Sequence, residues 1–573
     1  VDIIKNMLSA KVLYGFNKEN TSRDSYIPSD VYYALQRKSR GNLGYGKRQQ
    51  STLEGTLTFQ HKFGELLDMN LMAGMGRYLD SGDGSDISYE NANDHIQGSS
   101  VGMADGPFYP TSYKYKNEKR SQFVRGNFDL LGRYVVSASL RRDGTDKFFP
   151  SKKYALFPSV SLAWKMNEES FIKNISWINM LKLRASYGET GSDNLGTTLY
   201  GIVTTTREDV QFNNNSVTYI PYILSGANYE DVTWQKTVMK NIGLDFSVLR
   251  DRIWGSVDVF RNDVTHLLGT APTELLGMHG TRPINGGHYK RTGVDVSLNS
   301  LNLQTHDFKW TSQITLSHYN AVWIERMPNY DYQKYQKRKN EPMNAFYYYK
   351  TTGIINVDKS NMPESQRSLG PAACMPGYPI VEDKNGDGII DVNDSYMDNT
   401  LPKLYFGFGN TFTWKNFDLD IFMYGQLGVK KWNDAYGNSI DVGGLSRGVD
   451  AHNVGIYSYN IWNTQTNTNG RFPGIAISKS VALPENLGFD YTRENASYIR
   501  VRNITLGYNL GPKELSVFKG YIRGIRVFVD FQNPLTFTKY KGYDPEINTS
   551  SSNLTGGQYP QMRVYSIGAK LTF

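Results

Sequence analysis

Only one cysteine, Cys374, stands in 573 residues, so neither a disulfide framework nor a cysteine-based metal site can be built. No run of about 18 apolar residues occurs, which excludes a membrane-crossing helix. Lys and Arg outnumber Asp and Glu only 63 to 55 and lie scattered along the chain, without the basic cluster that nucleic-acid binding demands. No charged stretch followed by an apolar run opens the chain at Val1, so no secretory leader is visible. The 8 histidines are dispersed, and His452 has no neighbour suited to a metal or to a nucleophile's base. No Ser-His-Asp or Cys-His arrangement and no glycine-rich phosphate loop is found, which argues against an enzyme.

What the chain has in quantity is tyrosine and glycine, 40 and 54 residues, within an aromatic fraction of 13%. The mean hydropathy of −0.50 does not exclude a membrane protein, because half of each strand in a transmembrane barrel faces a polar lumen. The last twelve residues, MRVYSIGAKLTF, are the most informative. Tyr565, Ile567, Ala569, Leu571 and Phe573 fall on one side of an extended strand, and Ser566, Gly568, Lys570 and Thr572 on the other. A chain ending on such a strand with an aromatic residue resembles a bacterial outer-membrane β-barrel, in which Phe573 would serve as the assembly signal. An ordinary sandwich strand is the alternative on these residues alone.

The same period of two recurs along the whole length. Leu404, Phe406, Phe408, Phe412 and Trp414 alternate with Gly407, Gly409, Thr411 and Thr413, and Phe417, Leu419, Ile421 and Met423 with Asp418 and Asp420. About sixteen strands of about ten residues are predicted, the length a tilted membrane-spanning strand needs. They fall near 8–17, 51–62, 66–75, 121–130, 133–141, 156–166, 179–188, 237–248, 253–262, 290–300, 308–319, 403–414, 416–427, 497–510, 520–531 and 562–573. Short and long connections alternate strictly, the pattern of an all-β transmembrane antiparallel barrel with short periplasmic turns and long extracellular loops. With the C-terminus at the periplasm, 18–50, 76–120, 189–236, 320–402, 428–496 and 532–561 are the extracellular loops. Loops of this length in one domain are functional.

FVDFQNPLTFTKYKGYDPEI (528–547), NASYIRVRNITLGYNL (495–510), ASLRRDGTDKFFPSKKYALFPSVSLAWKMNEESF (138–171), LKLRASYGETGSDNLG (181–196) and, more loosely, GGHYKRTGVDVSL (286–298) resemble stretches of the SusC/RagA family of TonB-dependent outer-membrane transporters of Bacteroidetes. The resemblance implies a twenty-two-stranded barrel closed by an N-terminal plug. It implies active import of oligosaccharides or oligopeptides with a SusD-like surface lipoprotein as lid, coupling to the TonB complex, and pairing of such transporter–lipoprotein units into dimers. No TonB box or plug is found, so residues 1–573 read as the C-terminal barrel portion of a longer protein. A passive sixteen-stranded porin and a surface adhesin on a barrel anchor are the rival readings. In the porin, 8–17 must pair with 562–573.

One segment has metal-ligand spacing. DKNGDGIIDVND places Asp383, Asn385, Asp387, Asp391 and Asp394 at positions 1, 3, 5, 9 and 12 of an EF-hand-type loop, with the Ile389 carbonyl at position 7 and Gly388 at the sharp turn. The expectation is a structural Ca²⁺ site pinning loop 320–402, against a metal-free turn of Asp, Asn and Gly. Tyr330, Tyr332, Tyr335, Phe346, Tyr347, Tyr348 and Tyr349, with Trp432 and Trp462, offer rings that either stack on a sugar or peptide substrate or pack the loops. Arg133, Arg141, Asp418 and Asp420 are expected in the lumen, paired with one another or with the plug.

Overall fold

In the computed structural model the described residues are 1–29, 39–92, 101–195, 230–272, 281–328, 332–337, 340–433, 459–474, 483–491, 493–512, 514–518, 521–542, 544–547 and 560–573, with four three-residue strands between 205 and 224. Each predicted strand lies in one antiparallel sheet of 17 strands. After Asp2–Ile4 come Leu8–Ile27, Arg40–Phe63, Leu67–Glu90, Phe108–Leu130, Tyr134–Thr145, Tyr154–Lys165 and Ile178–Ser192. Then follow Gln235–Val248, Ile253–Pro272, Thr281–Gln304, Phe308–Glu325, Leu404–Trp414, Phe417–Leu427, Tyr498–Leu510, Gly524–Thr538 and Val564–Thr572. Every strand pairs with its neighbour in this order. Among the described residues Val564–Thr572 has no partner on its far side, so the pairing with 8–17 that a closed sixteen-stranded porin requires is not made. No helix of the described residues is long and apolar enough to cross a membrane.

The register explains the alternation. Leu303, Trp310, Phe412, Leu419, Leu506, Val529 and Ile567 face one another across seven strands in one row. Ala185, Ile242, Val259 and Val294 form another. Leu303, Ile242, Val259, Leu506 and Ile567 are exposed, which suits an outer face solvated by lipid. Nearer the short turns, Phe308, Trp414, Phe417 and Tyr508 sit opposite one another, with ring centres 6.0 Å apart for Trp414–Phe417 and 4.7 Å for Phe417–Tyr508. That is an aromatic girdle. The turn between Leu130 and Tyr134 uses φ of +57° at Leu131 and +66° at Gly132, the left-handed pair that matches strand twist in tight hairpins.

Two of the expected loops are instead strand. Leu8–Ile27, Arg40–Phe63, Leu67–Glu90 and Phe108–Leu130 run 20, 24, 24 and 23 residues, so most of 18–50 and 76–120 continues the ladder. Beyond the bilayer both faces meet water. Asn17, Lys18, Glu19, Asn20 and Thr21 therefore need no alternation, yet the register inherited from below pairs them with Gln50 to Gly46. The short-turn rim is also less uniform than expected, since 166–177 carries a helical turn at Ser170–Lys173.

At the long-loop rim, 320–402 and 428–496 are not separate loops. Ala345–Tyr349 pairs antiparallel with Tyr396–Asn399 and parallel with Gly488–Phe489, joining both segments in one small sheet. Tyr349, Ile355, Tyr378, Val381, Ile390 and Phe489 pack into a common core beneath it. Lys430–Trp432 pairs with Arg493–Asn495 and carries the Phe417–Leu427 and Tyr498–Leu510 strands upward into this body.

Candidate functional site: the inner wall and the body at its mouth

The residues alternating with the lipid-facing rows line the inner wall, and several of their charges are closed locally, whereas Arg291 Nε has no hydrogen-bond partner among the described residues. Arg184 holds Asp245 at 2.7 Å and 2.8 Å and Asp258 at 3.1 Å, bridging three strands. Arg526 reaches Asp418 at 2.5 Å, and Asn509 donates to the same carboxylate at 2.5 Å. Thr411 donates to Asp420 at 2.6 Å and Thr505 to Asp530 at 2.5 Å, while the Ser139 and Ser159 hydroxyls meet at 2.7 Å. The expected pairing among Arg133, Arg141, Asp418 and Asp420 is not seen. Arg133 bonds Glu169 at 3.2 Å and Arg141 bonds Asp143 at 2.8 Å. Cross-strand neighbours and residues two apart on one face lie nearer than the far side of a barrel, so local partners win. Carboxylates held by guanidiniums or by hydroxyls make a hydrated surface that suits polar solutes.

At the mouth, buried ion pairs lock the loops to the wall. The Arg500 side chain, 3% exposed, bonds Asp544 at 2.8 Å, Glu546 at 2.6 Å and Thr536 at 2.9 Å. Asp544 also accepts from the Glu546 and Gln561 backbone amides at 2.8 Å and 2.9 Å. Burial opposes charge on Asp544, but these amides and Arg500 outweigh it and hold the carboxyl below the usual range. Lys431 donates to the Pro545 and Ile547 carbonyls at 2.5 Å and 3.1 Å. Burial pushes its ammonium down. Asp398 is a second hub, taking Arg493 at 2.8 Å, Lys430 at 3.2 Å and the Tyr348 hydroxyl at 3.2 Å. Arg493 lies 4.4 Å from the Phe346 ring centre. Sequence reasoning missed both hubs. Their signal was present in the resemblance, because the 495–510 and 528–547 stretches contain Arg500, Asp544 and Glu546, but spacing does not show that they meet.

The aromatic residues offered as stacking platforms are mostly interior. Tyr347, Tyr348 and Trp462 are buried, and Tyr349 is wholly enclosed. Tyr349 donates to the Asp391 carbonyl at 3.0 Å, Tyr335 packs on Tyr347 at 4.6 Å, and Tyr347 donates to buried Glu341 beside Arg326. A ring in that setting packs the loop body; no open face is left for a sugar or peptide. Trp432 ends the strand paired at Arg493, but its side chain, like Tyr330 and His452, lies outside the described residues. Phe573 follows the last paired residue, Thr572, and is exposed.

The 383–394 loop closes on itself. Asp383 accepts from the Gly386 and Gly388 amides at 2.7 Å and 2.8 Å, Asp394 from Lys384 and Asp391 at 2.9 Å and 2.8 Å, and Asp387 from Ile389 at 2.9 Å. Asp391 caps the short helix Val392–Asp394, with Asp394 completing a capping box. Asn385 donates to Asp387 at 2.8 Å. Gly386 and Gly388, at φ of +73° and +84°, make the turn. Among the described residues no group of three or more acidic, His or Cys side chains is gathered as for a metal. The carboxylates act as turn acceptors here.

Residues 6–533 match the model of the family described as TonB dependent receptor-like, beta-barrel. The chain belongs to this TonB-dependent receptor family. Its wall is that of a bacterial outer-membrane barrel of SusC/RagA-like type. It is 27% identical over 99% of its length to TonB-dependent receptor P3 of Formosa agariphila and 28% identical over 81% to TonB-dependent receptor SusC of Bacteroides thetaiotaomicron. These alignments take in 56% and 44% of those proteins, so the chain spans about half the length of the curated relatives it matches. The solved RagAB peptide transporter superposes on all of the chain, and on 61% of its own, with a TM-score of 0.78 at 21% identity, a likeness of fold.

Proposed function

We propose that this receptor is the barrel portion of a TonB-dependent importer that carries oligosaccharides or oligopeptides across the outer membrane under a SusD-like lipoprotein lid. The observation that carries the reading is the combination of a long polar inner wall with a folded body anchored at one rim. A passive pore needs the first and has no use for so large a second. The body and the strands that rise beyond the membrane band offer a platform for a lid, and the long-loop rim is read as extracellular. Energy enters through TonB contacts and a plug supplied by sequence outside the chain; the RagAB peptide transporter supplies the analogy for peptides, and the family resemblance that for oligosaccharides. The hydrated, hydroxyl-rich wall favours polar solutes over apolar ones. Deletion of the full-length gene should abolish growth on the cognate purified glycan or peptide as sole nutrient, and loss of TonB should do the same. Growth that persists without TonB, with steady open-channel currents from the full-length protein, points to the porin. Growth unchanged by the deletion points to the adhesin.

A further inference from the structure

The outward face of the wall carries a concavity that transport does not use. On four adjacent strands Tyr14 lies opposite Leu53, Leu53 opposite Arg77, and Arg77 opposite Arg120. Directly opposed residues share a face, and Leu53, Met75 and Val124 on that face are exposed. Arg77 and Arg120 therefore point to the lipid side, with side chains 55% and 56% exposed. Arg142 joins them from the next strand, two residues past exposed Leu140, with its guanidinium 4.1 Å from the Tyr154 ring centre. Glu118 accepts from Arg77 at 3.0 Å and Arg120 at 2.5 Å. Three guanidiniums against one carboxylate leave a positive surplus.

Height decides what such a cluster meets. Arg77 stands ten residues beyond Leu67, where its strand leaves the short turn. At about 3.4 Å per residue and a tilt of about 40°, that is about 25 Å up the barrel, the height of the apolar band. The arginines thus lie at the far membrane interface, where phosphate groups of lipids begin. Below them the same concavity is lined by Val12, Leu53 and Met75 and continues down past Leu57, Val124 and Leu140. Gly55, Ala73, Gly126 and Ala138 share that outward face, and their small side chains leave a furrow between the larger ones.

We infer that this surface is a binding site for a phosphate-bearing acylated lipid of the leaflet on the long-loop side. The phosphate lies across Arg77, Arg120 and Arg142, and an acyl chain lies in the furrow. Guanidinium matches phosphate through paired hydrogen bonds, and Glu118 holds two of the three forks in place before a lipid arrives. A free phosphate ion would gain nothing from the furrow. Its continuity with the charged head commits the site to a lipid.

The test is native mass spectrometry of the detergent-solubilised full-length protein with dioleoyl phosphatidic acid, dioleoylglycerol or inorganic phosphate at equal concentration. Phosphatidic acid should be retained about thirtyfold more than dioleoylglycerol, and inorganic phosphate should not displace it. The triple variant Arg77→Gln, Arg120→Gln, Arg142→Gln should fall to the dioleoylglycerol level, while the triple Arg→Lys variant retains part of the preference. Heat-modifiable gel migration verifies that each barrel is folded. If the Gln variant does not fold, wild type carrying Ala73→Phe, which fills the furrow, should lose lipid without losing migration. Undiminished phosphatidic acid on a folded Gln or Ala73→Phe variant overturns the site, and complete displacement by inorganic phosphate reduces it to a simple anion contact and overturns the lipid assignment.

Discussion

Trp414 and Phe417 stack on the outer wall and stay exposed, whereas Tyr349 and Tyr378 in the loop body are wholly enclosed. The same residue classes meet two solvents. On the wall an aromatic side chain is stabilised by lipid from outside the protein, so the wall needs a register and an alternation but no core of its own. In the body the side chains must bury one another, and charges must be paired inside, as at Arg500 and Arg493. The wall is thus specified by pattern and the body by particular contacts. The two regions should respond differently to the same kind of damage.

The largest effect is expected at the centre of the body. Tyr349→Ala removes a buried ring and should cost about 3–5 kcal/mol, opening 345–399 to protease while the barrel keeps its heat-modifiable migration. Next is Arg500→Met, which strands Asp544 and Glu546. It should cost about 3 kcal/mol, tempered because Glu546 is 28% exposed and can be rehydrated, and should free 544–547 to cleavage. On the wall, Ile242→Arg places a charge six residues from the short-turn end of its strand, near the bilayer midplane. About 2 kcal/mol is expected there, measured by urea unfolding in bilayers, with the body's protease pattern unchanged.

Alkali should separate the regions without mutation. Burial pushes the Tyr378 phenol up to about 12, and its hydroxyl has no hydrogen-bond partner among the described residues. A pKa raised above the ordinary value of about 10 means the contribution is intact below pH about 10 and is lost as pH rises toward 12. The body should loosen across that window, and Tyr378→Phe should remove this part of the loss. The smallest effect is expected from calcium chelation. The 383–394 turn is held by its own backbone-amide bonds, so EGTA should leave protease resistance of the body unchanged. A rise in resistance on adding Ca²⁺ would show that these oxygens converge on a metal.

This contrast also accounts for what was legible. Leu404–Trp414 and Phe417–Leu427 were readable nearly to the residue because lipid on one side and water on the other impose alternation. Asn17–Thr21 and the upper part of Phe108–Leu130 were not, because water on both sides removes the signal while the ladder continues. The loop body was invisible as a unit. Its central strand, Ala345–Tyr349, pairs with Gly488–Phe489 across about 140 positions, and no local pattern in FYYY distinguishes a buried staple from a binding surface. The Arg500 hub lay within stretches singled out by family resemblance, yet its partners are set by tertiary approach. For the 383–394 loop, the same Asp, Asn and Gly spacing serves a cation or a self-closed turn, and sequence cannot choose between them.

The most direct test of the account is hydrogen exchange of full-length wild type and Tyr349→Ala in lipid nanodiscs. Faster exchange is expected across 345–399 and 483–491 in the variant, with 404–427 and 498–510 as protected as in wild type. Equal loss of protection in both sets would contradict it, showing that wall and body are one cooperative unit.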